Sequence, residues 1–206
     1  MGADSATGGM MAKQNAADAA GHPWVRLVVG RRGSGKSWSM LRIMEAWQAL
    51  DREERPGRIH AVDPVATDPP GPDHVAFYAD TWSPVMVEEL PPGTALLVLD
   101  EADTTIGQRA DHQSKAVVDI VRRGRHRGVS LLLGTQRPAL LLYDVWALVG
   151  ELMICHTTSK RDLDRLEELD ESLAELREHI AAPGQLGVRV VWHHQLGVHR
   201  IGGPGK

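Results

Sequence analysis

The chain is poor in cysteine and in long apolar runs, and each of these two shortages excludes a class of protein. Cys155 is the single cysteine among 206 residues, so no disulfide can form within the chain. We therefore expect a buried, inert thiol in a reducing compartment. No apolar run approaches the roughly 18 residues needed to span a bilayer, and the N-terminal segment lacks the apolar core of a signal peptide. These absences predict a cytoplasmic protein without a membrane span.

The charge balance of the chain is also unremarkable. The formal net charge is −4 at pH 7, with 42% hydrophobic and 24% charged residues. These proportions are ordinary for a soluble globular protein. A global excess of positive charge, as found in nucleic-acid coat proteins, is absent, so any contact with nucleic acid must be local.

Apolar runs alternate with segments of helical periodicity along most of the chain. We expect a flexible tail over residues 1–22 and one α/β domain over residues 23–206, with a mostly parallel central sheet and helices on both faces. Strands are predicted at 24–30, 58–63, 95–100, 129–134 and 151–157, and helices at 37–50, 112–123 and 159–180.

Weaker patterns predict a few further elements. Residues 74–79 suggest a short strand, and residues 83–90 suggest a brief helix capped by Ser83. A late strand at 186–194 is expected to form a hairpin with residues 196–201, after the C-terminal helix. Trp38, on the first turn of the first helix, is expected to pack in the core.

The sequence GRRGSGKS fits the phosphate-binding pattern G-x-x-x-x-G-K-[ST] at every fixed position. It follows a predicted strand and precedes a predicted helix, which is the context that the pattern requires. Glycines let backbone N–H groups approach phosphate oxygens, while the lysine reaches the β- and γ-phosphates and the serine hydroxyl ligates Mg²⁺. We predict binding of ATP and Mg²⁺ by the loop residues Gly30, Arg31, Arg32, Gly33, Ser34, Gly35, Lys36 and Ser37.

A pair of acids ends the clearest buried strand, in the sequence ALLVLDEAD. In P-loop enzymes this strand lies close to the phosphate loop, so Asp100 is predicted to hold Mg²⁺ and Glu101 to polarise the attacking water. The letters DEAD also mark one class of helicase. Those helicases need two sheet domains, however, and this chain has room for one.

The segment RRGRHRGVSLLLGTQRP places an arginine-rich turn before a strand and Gln136 after it. Nucleotides bind at the carboxyl ends of parallel strands, and six strand residues span about 20 Å. Gln136 is therefore predicted to lie beside the local ATP as a sensor. Arg125 and Arg127 are predicted to lie at the opposite edge, placed as arginine fingers for a neighbouring subunit. A phosphate-contact patch for DNA and an ordinary solvated turn are the alternatives.

With these motifs the chain resembles the FtsK–HerA superfamily of P-loop motors over residues 24–157. The matching pieces are the phosphate loop, VDP, LLVLDEAD and GRHRGVSLLLGTQRP, and the resemblance is to small phage, Zot-like and DNA-packaging members. It implies a RecA-like P-loop NTPase fold and a homo-oligomeric, usually hexameric, ring that hydrolyses ATP and moves DNA or another polymer. The chain is short and has neither a transmembrane segment nor an obvious DNA-binding accessory domain, so membrane-anchored members are a poor match.

Two other classes of function fit the phosphate loop. A small-molecule or nucleotide kinase would use arginines that fold over its own ATP, and its activity would not need oligomers. A nucleotide-gated interaction protein with negligible turnover is the third possibility, but such a switch need not carry both Glu101 and Gln136. The histidines His193, His194 and His199 lack an acid or cysteine at zinc spacing, and a polar hairpin is the preferred interpretation.

Overall fold

The computed structural model describes residues 23–50, 57–65, 75–85, 90–108, 115–184 and 186–201. The predicted tail over residues 1–22 lies outside this part of the chain, and so does the start of the helix predicted at 112–123. Among the described residues, no helix is both long and apolar enough to cross a membrane.

Strands and helices alternate along the chain as the sequence predicts. The strands are β1 (Val25–Val29), β2 (Arg58–Val62), β3 (Thr81–Ser83), β4 (Thr94–Leu99), β5 (Ser130–Thr135), β6 (Glu151–Ile154), β7 (Val190–His193) and β8 (Gly197–Ile201). The α-helices are α1 (Lys36–Gln48), α2 (Ala102–Thr105), α3 (Lys115–Arg123), α4 (Tyr143–Trp146), α5 (Lys160–Glu167) and α6 (Arg177–Ala181). Short 3₁₀ helices cover Val75–Tyr78, Gly124–Arg127, Pro138–Leu140 and Glu171–Leu176.

The strands form one sheet in the order β3-β2-β4-β5-β1-β6-β7-β8. Neighbours from β3 to β6 run parallel, and β7 and β8 add an antiparallel hairpin at one side. Val29 pairs with Thr135, and Leu99 pairs with Leu133. The carboxyl ends of β1, β4 and β5 therefore meet at one edge, where the phosphate loop, Asp100 and Gln136 follow.

Successive strand residues belong alternately to two hydrophobic clusters, one on each face of the sheet. Val28, Val98 and Leu132 belong to the cluster that α1 covers. Leu27, Leu99 and other neighbouring strand residues belong to the cluster covered by α3, α4 and α5. Continuous apolar strands are what a sheet buried on both sides requires. The α/β prediction, with a mostly parallel sheet between helices, is confirmed.

One of the weaker predictions is wrong, and another falls mostly outside the described residues. Residues 75–78 form a 3₁₀ turn rather than a strand, because Val75 and Ala76 are buried on the α1 face of the sheet. The side chain of Gln48 donates to the carbonyl of Tyr78 at 2.8 Å, which ties this turn to the end of α1. Ser83 ends strand β3, and its Oγ accepts a hydrogen bond from the backbone N–H of Val85 at 3.3 Å. Residues 86–89, which make up most of the helix predicted at 83–90, lie outside the described chain, so that helix stays a prediction.

The helix predicted over 159–180 is broken into α5, a 3₁₀ turn and α6. Asp170 interrupts it with an extended backbone, and its Oδ1 accepts hydrogen bonds from the backbone N–H and hydroxyl of Ser172. Trp192 Nε1 donates to the other carboxylate oxygen at 2.6 Å. The apolar stripe nevertheless faces the core as predicted, through Leu163, Leu166, Leu169, Leu173, Leu176 and Ile180.

Candidate nucleotide-binding site

The phosphate loop joins β1 to α1 and is anchored on both sides by backbone hydrogen bonds. Gly30 N–H donates to Thr135 O at 3.1 Å, and Arg31 N–H donates to His156 O at 2.9 Å. Gly35 precedes the helix with φ of 91°, a left-handed conformation that favours glycine. A Cβ at Gly35 would lie 2.6 Å from Gly187 N, so a side chain has no room there. These backbone hydrogen bonds and the tight packing at Gly35 fix the shape of the loop.

Lys36 lies between the two acids that end β4. Its Nζ forms an ion pair with Asp100 Oδ1 and lies 3.5 Å from Glu101 Oε1. The hydroxyl of Ser37 donates to Asp100 Oδ2 at 3.1 Å. The structure therefore brings together the loop lysine, the loop hydroxyl and both predicted acids.

Burial and the two carboxylates act in opposite directions on the charge of Lys36. Burial alone would lower the pKa of this amine, because a low-dielectric site disfavours the charged form. The negative charges of Asp100 and Glu101 more than offset burial, and the pKa lies above its usual value of 10.5. Lys36 is thus held as a cation at neutral pH, as a phosphate ligand requires.

Glu101 has an unusual backbone conformation that places its carboxylate in the site. It has φ of 48°, the one positive value among non-glycine residues of the described chain. Its N–H donates to Asp100 Oδ1 at 2.9 Å, and its Oε1 accepts a 2.6 Å hydrogen bond from Gln136 Nε2. Such backbone strain is concentrated at functional sites. The predicted water-polarising acid and the predicted sensor are in direct contact.

These groups open onto a cavity of about 690 Å³. This volume suits a small-molecule ligand, since such pockets measure about 300–1,000 Å³. The lining also includes Asp63, which directly follows strand β2. The cavity is lined by Arg31, Arg32, Gly33, Gly35, Lys36, Ser37, Trp38, Asp63, Val65, Val75, Asp100, Glu101 and Gln136.

Trp38 is not in the core, so that prediction is wrong. Its side chain is 62% exposed and lines the cavity, whereas Trp47 on the same helix is 3% exposed. One helical turn does not tell which side of α1 faces the sheet. Met40, Ile43, Met44 and Trp47 occupy the buried face of α1 instead.

The arginine-rich turn lies at the amino end of β5, and Gln136 follows the carboxyl end of the same strand. Arg122, Arg123 and Arg127 are not among the described residues that line the cavity. Arg127 pairs with Asp119 at 3.1 Å, and Arg122 pairs with Asp144 at 2.5 Å. The arrangement agrees with the predicted separation of turn and sensor, and the finger role of Arg125 and Arg127 stays a prediction.

A C-terminal segment supports the phosphate loop, although no sequence motif links this segment to the site. Gly187 N–H donates to Ser34 O at 2.8 Å. Two residues later, the buried guanidinium of Arg189 donates to the carbonyls of His179, Ile180 and Ala182. The hydrogen bond between Gly187 and Ser34 joins residues roughly 150 positions apart, so no local sequence pattern predicts it.

Cys155 lies beneath the loop as a buried thiol. It is fully buried, and burial raises its pKa to about 11. A thiol that stays protonated at neutral pH is a poor nucleophile. The prediction of an inert cysteine therefore fits this environment.

Comparisons with known proteins support the fold. No protein-family model and no curated protein matches the sequence. The genome packaging NTPase B204 from Sulfolobus turreted icosahedral virus 2, in complex with ATP-gammaS, is 16% identical with a TM-score of 0.63, over 88% of this chain and 98% of that chain.

Two further solved structures are similar to the chain. The DNA-packaging ATPase B204 from Sulfolobus turreted icosahedral virus is 16% identical with a TM-score of 0.63, over 90% of this chain and all of that chain. The N-terminal domain of zonular occludens toxin from Neisseria meningitidis is 20% identical over 68% of this chain and 79% of that chain. Its TM-score is only 0.41, and the fold assignment does not depend on it. At these identities, the B204 structures show that the chain has a P-loop NTPase fold.

Proposed function

We propose that this protein is a Mg²⁺-dependent ATPase that works as a ring and drives DNA translocation or packaging. The observation that carries the proposal is the convergence of Lys36, Asp100, Glu101 and Gln136 on one cavity beside the phosphate loop. A passive nucleotide-binding site needs the loop and lysine, but it has no use for a carboxylate aligned by a glutamine. The B204 structures, whose fold this chain shares, are those of a packaging NTPase.

The site fits a magnesium ion through its oxygen donors. The Ser37 hydroxyl and the Asp100 carboxylate lie 3.1 Å apart, and hydroxyl and carboxylate oxygens are ligands that Mg²⁺ accepts. Protein sites for Mg²⁺ often supply one or two such groups and leave the rest to phosphates and water. Ser37 and Asp100 would hold the ion, which when bound neutralises charge on the β- and γ-phosphates.

The chain's own residues account for the remaining requirements of hydrolysis. The backbone N–H groups of the loop and the start of α1 bind phosphate oxygens, while Lys36 adds a positive charge beside them. Glu101, aligned by Gln136, accepts a hydrogen bond from the attacking water and orients it. The carboxylates of Asp100 and Glu101 balance the positive charge of Lys36 within the site.

Hydrolysis is tested with purified protein and two variants. Phosphate release from Mg²⁺-ATP should disappear in Lys36→Ala, and it should fall steeply in Glu101→Gln while nucleotide binding persists. Gln195→Ala, in the exposed turn between β7 and β8, is the control and should keep full activity. Release that continues unchanged in Lys36→Ala would contradict the proposal.

The ring proposal rests on the arginines at the far end of β5. Arg122, Arg123 and Arg127 have side chains that are 55%, 69% and 57% exposed, and their acidic partners are Asp144 and Asp119. Exposed ion pairs contribute little stability, so an arginine here can exchange its partner for a neighbour's phosphate at small cost. Arg127, with Arg125 beside it, would thereby complete the next subunit's site.

Shared sites are tested by mixing two inactive proteins. Lys36→Ala subunits keep their arginines, and subunits carrying Arg125→Ala and Arg127→Ala keep their phosphate loop. Neither protein should hydrolyse ATP alone. The mixture should regain activity, because at some interfaces the intact phosphate loop of one variant meets the intact arginines of the other. Full turnover by a monomer, or no dependence on the two arginines, would favour a phosphotransferase over a ring motor.

DNA as the moved polymer is tested by stimulation of the ATPase. Double-stranded DNA added to the wild-type protein should raise the rate of phosphate release, and the effect should weaken as salt is increased. A rate that does not respond to DNA at low salt would point to another polymer.

A further inference from the structure

Trp38 is an exposed aromatic residue in the wall of the nucleotide cavity. It directly follows Ser37 on the first turn of α1, and 62% of its side chain is accessible. A single exposed hydrophobic residue is ordinary on a protein surface. This one is informative because it lines the same cavity as Lys36 and Ser37.

The cavity contains two kinds of wall. Lys36, Ser37 and the acid pair form a charged part, which is suited to phosphates and their metal ion. Trp38, Val65 and Val75 contribute apolar surface to the same cavity. A nucleotide is divided in the same way, into a charged phosphate chain and a flat base with two apolar faces.

The indole of Trp38 has a cationic neighbour, Arg42, which does not bury it. The guanidinium carbon of Arg42 lies 5.7 Å from the centroid of the indole ring, within the range of a cation–π contact. Arg42 in turn pairs with Glu45 at 2.7 Å. The arginine contacts the ring, yet 62% of the Trp38 side chain stays accessible.

We propose that Trp38 stacks on the purine base of the bound nucleotide and supplies the base-binding half of the site. The proposal rests on the proposed binding of ATP by the phosphate loop. Stacking uses the face of the base and does not read its edge, so Trp38 contributes affinity for purines in general rather than a choice between ATP and GTP.

The test compares ligands that share the phosphate chain but differ in the base. Calorimetry measures binding of ATP, GTP and inorganic tripolyphosphate to the wild-type protein, Trp38→Ala and Trp38→Phe. Trp38→Ala should weaken ATP and GTP by about tenfold, as expected for loss of one stacked base, and leave tripolyphosphate unchanged. Trp38→Phe should recover most of the affinity, because a smaller aromatic ring still stacks.

Tyr143→Ala is the matched control, since Tyr143 is a 70% exposed aromatic residue outside the cavity lining. It should bind all three ligands as the wild type does. An equal loss of ATP and tripolyphosphate in Trp38→Ala would assign Trp38 a structural role and overturn the stack, as would unchanged affinity for ATP. Failure of the wild type to bind tripolyphosphate or ATP would instead overturn the phosphate site itself.

Discussion

Gln136 donates a 2.6 Å hydrogen bond from its Nε2 to Oε1 of Glu101. The two residues follow neighbouring parallel strands, β5 and β4, so the bond joins the ends of two elements that are fixed by the sheet. Because Lys36 lies 3.5 Å from the same carboxylate oxygen, Glu101 is held between an amide donor and a cation. This arrangement fixes the position of Oε1 of the Glu101 carboxylate.

Changing this pair should separate catalysis from binding. Glu101→Gln should lower ATP turnover by about a hundredfold or more, because the amide cannot accept a proton from water as a carboxylate does. Gln136→Ala should lower it less, by roughly tenfold, since the base remains but loses one fixed donor. Steady-state kinetics and nucleotide titration should show that turnover falls while affinity changes little.

Gln136→Glu tests more directly whether Gln136 aligns Glu101. It keeps the size of the side chain but places a second carboxylate at hydrogen-bond distance from Glu101, where the two like charges repel. Turnover should therefore fall further than in Gln136→Ala. Equal activity of the two variants would show that Gln136 does not align Glu101.

Much of the site could be predicted from sequence because its parts occur in short, ordered patterns. The phosphate loop lies directly between a strand and a helix, and the two acids directly follow the apolar run ALLVL. Parallel strands bring their carboxyl ends to one edge, so Lys36, Asp100 and Gln136 had to lie close together. The sheet order and the exact contacts needed coordinates.

What the sequence could not predict depends on contacts between distant residues. Asp170 looked like one more polar position of a long helix, yet its carboxylate bonds to Ser172 and Trp192 and breaks that helix. Trp38 looked like a core residue because apolar character alone does not distinguish a buried side chain from a ligand-facing one. Gly187 reaches Ser34 through the tertiary fold alone.

Gly134 on β5 is predicted to be irreplaceable because Asp100 packs against it. A Cβ at this position would lie 2.6 Å from Asp100 Oδ1 and 2.5 Å from the sulfur of Met40. Gly134→Ala should displace Asp100 from Lys36, with an overpacking cost of about 1–3 kcal/mol and a large loss of Mg²⁺-dependent ATPase activity. Urea unfolding and phosphate release measure the two effects.

Gly150→Ala serves as the matched control for that change. A Cβ at Gly150 would meet nothing closer than 3.7 Å, which is an ordinary contact. This variant should unfold and hydrolyse ATP much as the wild type does. If Gly134→Ala behaved in the same way, Asp100 would not need its observed position.

His60 should make the stability of the protein depend on pH below neutrality. Its side chain is buried, Nδ1 lies 2.6 Å from Thr81 Oγ1, and burial lowers its pKa below 6.5. As the pH falls below 6.5, the unfolded chain takes up a proton that the folded site resists. The free energy of unfolding should therefore fall, with a slope of at most about 1.4 kcal/mol per pH unit from this group.

Urea unfolding between pH 5 and 8, roughly, measures this dependence, with His60→Gln as the test variant. In this variant the free energy of unfolding should fall less steeply as the pH decreases from neutrality. The free energy of unfolding of His60→Gln should still depend on pH, because burial also lowers the pKa of His156. A slope identical to that of the wild type would exclude His60 as a contributor.

Arg189 is predicted to stabilise both the C-terminal helix and the phosphate loop. Its buried guanidinium donates to the carbonyls of His179 and Ile180 at 2.9 and 3.1 Å, and to that of Ala182. Arg189→Met keeps the length of the side chain but leaves carbonyls at the end of α6 without these donors. Unfolding free energy should fall by about 1–3 kcal/mol.

The same change should also weaken nucleotide binding, which a purely local defect in α6 would not do. Gly187, two residues before Arg189, donates to Ser34 O, so a displaced segment loosens the loop that surrounds the phosphates. Arg177→Met is the control, because Arg177 pairs with Asp164 and Glu167 away from the cavity lining and should affect neither property strongly. Calorimetric titration with ATP, performed well below the unfolding temperature, should show weaker binding for Arg189→Met alone. Unchanged affinity in a variant that is clearly less stable would confine Arg189 to holding α6.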